Sequence, residues 1–208
     1  MIIFAVFLII IGLFYWRAET RKKAFLKSLK GEIVYSCRDG LVLNIYKISA
    51  NGTNKKLLYK NTDKVNSNSM GPIWSKDGSR IYFGAMKNGK WETFSLDSEG
   101  NGPAKIANVA EKSLIPVFKD KTDGISVEDG SIYYTDDHGN KKQVYYYPRR
   151  LYNREYYPGA MMATWSPDKK FIVFAKSVFL ESLNIFVTNK EGTIIVKITK
   201  GQEPDWKY

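Results

Sequence analysis

The chain has 208 residues, a formal net charge of +11, one cysteine and one histidine. A single cysteine, Cys37, excludes an internal disulfide and any cysteine-based zinc site. His138 is alone and no Gly-x-Ser-x-Gly elbow occurs, so a Ser-His-Asp hydrolase centre is not supported and no cofactor motif is present.

Met1 to Trp16 carry no charge and are almost wholly apolar. At 1.5 Å per residue this run spans about 24 Å, and Tyr15, Trp16 and Arg17 are suited to an interface, so residues 1–16 are expected to form a single-pass membrane anchor. Residues 17–30 hold six basic side chains against Glu19 and read as a juxtamembrane segment. Such a cluster either attracts anionic headgroups or simply stops transfer.

Residues 31–208 are expected to be all-β. The strand starts Pro72-Ile73-Trp74, Pro116-Val117-Phe118, Ala163-Thr164-Trp165 and Pro204-Asp205-Trp206 place an aromatic residue at steps of 44, 47 and 41 residues. A period in that range signals repeated supersecondary units that bury their apolar faces only on one another. After Trp74 come the turn Lys76-Asp77-Gly78, a strand over 80–83, Asn88-Gly89, a strand over 92–96, Asp97 to Gly102, and a strand over 104–107. Turn residues between β-branched and aromatic runs predict a four-stranded meander. The unit at Trp165 repeats that order, while in the unit at Phe118 a polar stretch over 119–130 precedes strands over 131–134 and 143–146.

The ends complement each other. Residues 31–60 supply three strands of a unit without its first, and Gln202 to Tyr208 supply a first strand with nothing after it. Pairing the tail beside Ile33 to Tyr35 completes the unit and removes exposed sheet edges. About four blades fit, which predicts a small closed propeller and a monomer; the alternative is a larger ring built by two chains exchanging terminal strands.

The run from Pro72 to Phe83, with Trp165-Ser166-Pro167-Asp168 and Glu203-Pro204-Asp205-Trp206, resembles the WD40-like PD40 β-propeller repeat of TolB-like proteins. The resemblance implies an interaction platform outside the cytoplasm or a propeller that accompanies a hydrolase domain. The basic flank after the apolar run implies the opposite side of the membrane, and the outward placement is the one expected here.

Trp74, Phe118, Trp165 and Trp206 are expected to pack between blades, and Asp77 and Asp168 to cap turn N–H groups. His138 reads as a turn residue. Residues 145–159 are not explained by the repeat. Within them Tyr147, Arg149, Arg150, Tyr152, Arg154 and Tyr156 combine residue types that dominate binding hot spots, on a connection too long for a turn. The alternative is that the tyrosines cover the ring face and the arginines stack on them. With no catalytic constellation, the chain is expected to be a membrane-anchored, non-catalytic module binding a protein, peptide or cell-envelope glycan. A glycan-active enzyme with channel carboxylates and a nucleic-acid-binding module are the alternatives.

Overall fold

The computed structural model describes residues 2–62, 67–106, 124–148, 159–177 and 183–207. Helix α1 runs over Ile2–Ser28 as one unbroken element, so the apolar run and the basic segment after it share one helix. Only its C-terminal end is docked, with Leu29 just beyond it buried, Phe25 and Leu26 packed against the core, and Phe25 edge-on to Phe171 at 5.7 Å. From Phe4 to Trp16 the large apolar side chains stand exposed.

The expected membrane anchor is not upheld. Among the described residues, no helix is long and apolar enough to cross a membrane. The apolar stretch ends at Trp16, and the rest of the helix carries Arg17, Arg21, Lys22, Lys23 and Lys27. Sixteen apolar residues reach about 24 Å, short of a hydrocarbon core of about 30 Å.

The remainder is antiparallel sheet. In chain order the strands are β1 (Glu32–Asp39), β2 (Val42–Ser49), β3 (Lys56–Tyr59), β4 (Ser69–Trp74), β5 (Arg80–Lys87), β6 (Lys90–Asp97) and β7 (Ala104–Lys105). They continue as β8 (Ile125–Glu128), β9 (Ser131–Thr135), β10 (Lys141–Tyr145), β11 (Ala160–Trp165), β12 (Phe171–Lys176), β13 (Asn184–Asn189), β14 (Ile195–Lys200) and β15 (Gln202–Lys207). Unit one has the order β15-β1-β2-β3, unit two β4-β5-β6-β7, unit three β10-β9-β8 and unit four β11-β12-β13-β14. The C-terminal strand pairs as expected, with Ile33 opposite Trp206 and Val34 opposite Asp205. Trp206 is buried and its indole Nε1–H donates to the Lys30 carbonyl at 2.8 Å.

One strand assignment needs correction. Ile125–Glu128 lies inside the stretch expected to be a polar insert, yet it is strand β8 and pairs with β9. Turn chemistry identifies its rank. In unit two a tight Asn88-Gly89 turn, both residues at positive φ, joins the second strand to the third, and Asp129-Gly130 does the same between β8 and β9. Likewise Asp97 and Asp136 each hold a third-to-fourth-strand hairpin closed. In both turns the Asp carboxylate accepts the N–H of an Asn four residues on, at 2.8 Å, and that Asn amide donates to the other oxygen at 3.2 Å. Strands β8, β9 and β10 are therefore the second, third and fourth of unit three. The first strand expected at Phe118 lies outside the described residues.

Three apolar cores join the units. Ile33, Tyr35, Ile48 and Trp206 of unit one meet Val173, Ile185 and Val187 of unit four. Val34, Ile45 and Leu58 meet Trp74, Ile81, Phe83 and Leu96 of unit two. Ile132 and Val144 of unit three meet Trp165, Ile172, Phe174 and Phe186 of unit four. Burying side chains of this size stabilises the fold by about 1.5–3 kcal/mol each. At all three seams the glycine of a third-to-fourth-strand hairpin abuts the outer strand of the preceding unit: Gly52 at Ile198, Gly100 at Leu58 and Gly192 at Val144. Gly139, the equivalent residue of unit three, has nothing within 4 Å of where a Cβ would stand.

The first strands share a bend. Gly71, Met162 and Glu203, each three residues before a tryptophan, adopt φ of 64°, 54° and 54°, and the pairing register shifts beside each of them. These are β-bulges, and two of them hold non-glycine residues in a conformation that costs about 1 kcal/mol or more.

Candidate functional site

The repeat aspartates sit in hydrogen-bonded turns. The Ser75 hydroxyl donates to Asp77 at 2.6 Å and accepts the Arg80 N–H at 2.9 Å, while Asp77 also accepts the Ser79 N–H. Ser166 and Asp168 repeat this, the hydroxyl donating at 2.7 Å and accepting the Phe171 N–H at 3.0 Å, with Asp168 accepting the Lys170 N–H. The hydroxyl and N–H donors around Asp77, Ser75 first, hold its carboxyl down to about 2. Trp74 and Trp165 are buried between units. Phe118 lies outside the described residues. His138 stands in the Asp136 turn, its N–H donating to that carboxylate at 3.0 Å.

Of the tyrosine- and arginine-rich connection, Tyr147 is described; Arg149, Arg150, Tyr152, Arg154 and Tyr156 lie outside the described residues. Tyr147 has its backbone N–H on the Ser131 hydroxyl at 2.9 Å, and its ring closes over Gly130 and Gly159, where a Cβ on either glycine would meet it within 3.0 Å. That is a packing role at the foot of unit three.

A different group of residues forms a cavity of about 390 Å³ where units one and four meet. Its floor is Ser36 and Cys37 from β1, Leu43 from β2, and Gly201 between β14 and β15. Leu183 and Gln202 form the walls, and Arg38, Lys55 and Lys200 stand at the rim. The β15 bulge helps to shape it: the register shift lies between Ser36, which pairs with Gln202, and Val34. The Ser36 hydroxyl donates to Glu203 at 2.6 Å, leaving its lone pairs as the group it offers elsewhere.

Three cations and no carboxylate stand among the described residues that line this cavity. Several lysines elsewhere are paired, Lys47 with Glu99 and Glu32, Lys56 with Glu99, Lys105 with Glu92 and Lys141 with Glu128. Arg38, Lys55 and Lys200 make no ion pair among the described residues. Arg38 donates to the Leu41 carbonyl at 3.1 Å, and the Lys55 ammonium sits 4.6 Å from the Tyr46 ring centroid. Burial pushes the Cys37 thiol above its ordinary value, and the opposing fields of Lys55 and Lys200 do not reverse this, so the thiol is not primed as a nucleophile. The Asp39 carboxylate adds to the upward push on Cys37. Three like charges gathered at one cavity repel one another, and such local conflict is characteristic of places where a ligand supplies what the protein lacks.

Nothing in sequence spacing announces this site. Lys55 belongs to a loop, Arg38 to the end of a strand, and Lys200 is contributed from the far end of the chain. Its one local signal is Lys200-Gly201-Gln202, a glycine at the junction of two strands.

The four sheets, with first strands bent alike and apolar seams between units, define a blade-repeat β protein of propeller-like arrangement. By sequence the chain matches no family model and no curated protein. Among solved structures it is similar to a protein of Agrobacterium tumefaciens described as a TolB, at 15% identity and a TM-score of 0.33, covering 83% of this chain and 64% of that one. TolB of Acinetobacter baumannii gives 13% and 0.33, with 86% and 67% covered, and the tricorn protease 10% and 0.37, with 85% and 24% covered. The chain thus spans about two thirds of those TolB chains and a quarter of the protease. Likeness at this level fixes neither activity nor partner.

Proposed function

We propose that the chain is a non-catalytic interaction module in which the four units close into one small ring, and that the cationic cavity between units one and four receives a protein or peptide partner. The cavity carries this reading, because three cations and no carboxylate stand among its described lining residues. A neutral glycan would leave those charges unmet.

Closure of the ring is supported by the tail pairing within its own chain and by the repetition of one seam design at three junctions. Intrachain pairing also favours a monomer over strand exchange. Among the described residues, the carboxylates on the first strands are engaged in holding units together: Glu203 accepts the Gly71 N–H at 2.7 Å and Asp205 the Trp74 N–H at 2.6 Å.

The test is site-specific photo-crosslinking in cells. A photoreactive residue at Leu183, in the cavity wall, is expected to trap one reproducible protein adduct. The same residue at Trp91, half exposed on unit two, is expected to trap none. Adducts at both positions alike, or at neither, would count against the module.

A further inference from the structure

We infer that the cavity between units one and four is a carboxylate-binding site for a peptide segment that carries an aliphatic side chain beside its acidic group. This rests on the interaction-module reading and adds the chemistry of the ligand. Three cations of different reach line one concave space, and a cavity of about 390 Å³ falls in the range of sites that hold small ligands. A guanidinium binds a carboxylate through two parallel N–H donors, and two ammonium groups add point charge from other sides.

The neutral lining matches the rest of such a ligand. The Gln202 side chain makes no hydrogen bond with the described residues and supplies an amide to a peptide group, while Leu43 and Leu183 supply apolar wall. An inorganic anion would use the cations and leave that wall wet. Nucleic acid is less well suited: among the described residues no aromatic ring lines the cavity for a base to stack on, and the face of Tyr46 is taken by Lys55. All three cationic residues are exposed, so neutralising them removes binding without opening the core.

Calorimetric titration of the full chain separates the sources of the carboxylate. The probes are Ac-Ala-Ala-Leu with a free C-terminal carboxylate, the same peptide as its amide, Ac-Ala-Asp-Leu amide, and inorganic phosphate. At least one carboxylate peptide is expected to bind tenfold or more tighter than the uncharged amide. The free acid being tighter assigns a chain terminus, and the aspartate peptide being tighter assigns an acidic side chain. Arg38→Gln and Lys200→Gln are each expected to weaken that binding threefold or more with the melting temperature unchanged. Raising salt is expected to weaken it further.

Equal binding of charged and amidated peptides, binding of phosphate without either carboxylate peptide, or no response to the two substitutions overturns the assignment. If the peptides fail while the Leu183 crosslink persists, the ligand chemistry is wrong and the module stands. If both fail, both readings fall.

Discussion

Replacing Gly192 with alanine and comparing it with Gly139→Ala tests whether the units are held by seating a hairpin on the neighbouring sheet. Both glycines lie at positive φ, 68° and 80°, in equivalent hairpins. An alanine there pays the left-handed penalty of about 1–2 kcal/mol in either case. Their surroundings differ. A Cβ on Gly192 would stand 2.0 Å from the Val144 carbonyl oxygen and 2.8 Å from its carbon, whereas one on Gly139 meets nothing within 4 Å. A carbon ordinarily approaches an oxygen to about 3.3 Å, so the seam has to part by roughly 1 Å. The obstacle is strand backbone and cannot rotate aside. Overpacking of this kind adds about 3 kcal/mol, and more where Ile132, Val144 and Trp165 lose contact across the seam. Gly192→Ala is therefore expected to cost about 4–5 kcal/mol against about 1–2 kcal/mol for Gly139→Ala. For a chain of this size each kcal/mol lowers the melting temperature by about 2–4 °C. Chemical denaturation and thermal melting of the two variants read the difference directly. Equal losses would refute the idea that hairpin seating holds units three and four together.

Further outcomes follow from the same contacts. Trp206→Ala is expected to cost about 3–5 kcal/mol, since the indole is buried and bonds the Lys30 carbonyl; denaturant titration measures it, and a loss under 1 kcal/mol would mean that the tail does not complete unit one. The Glu99 carboxyl is held down to about 2 by its hydrogen bonds to Lys47 and then Lys56, so its folded value lies below its unfolded one. Its contribution is then present above about pH 4.5 and lost as pH falls toward 2. Melting temperature followed from pH 6 to 2 should show a shallower acid decline in Glu99→Gln than in the parent; identical slopes would show that the pair between units one and two is idle. Phe25→Ala removes the edge contact with Phe171 and is expected to loosen the end of α1 while leaving the sheets intact, seen as faster amide exchange over residues 20–28 alone.

Much of the architecture was legible because propeller-like units are local. Tryptophan spacing, Asn-Gly and Asp-Gly turns and alternating β-branched residues act within a few positions of one another, and the strands formed where they stood. The split first unit was also readable, since an orphan strand at one end matches a vacancy at the other, and the tail fills it within its own chain. Unit three misled for a physical reason: the Asp129-Gly130 turn was read as part of a polar insert, and Ile125 and Val127 were too few to announce a strand without knowing their partners on β9. The apolar run at the N-terminus announced a helix correctly, but composition alone overstated its reach, because the helix goes on into a basic segment.

The sequence by itself determined the strands, their turns and the order in which they meet, since each depends on dihedral preferences and periodicity within a short window. Only the tertiary structure decided which glycines seat against a neighbour, which carboxylates tie inner strands together, and that Arg38, Lys55 and Lys200 share one cavity. Those facts depend on distances between residues as much as 162 positions apart, where no local preference acts and closure of unit one by the C-terminal strand sets the geometry.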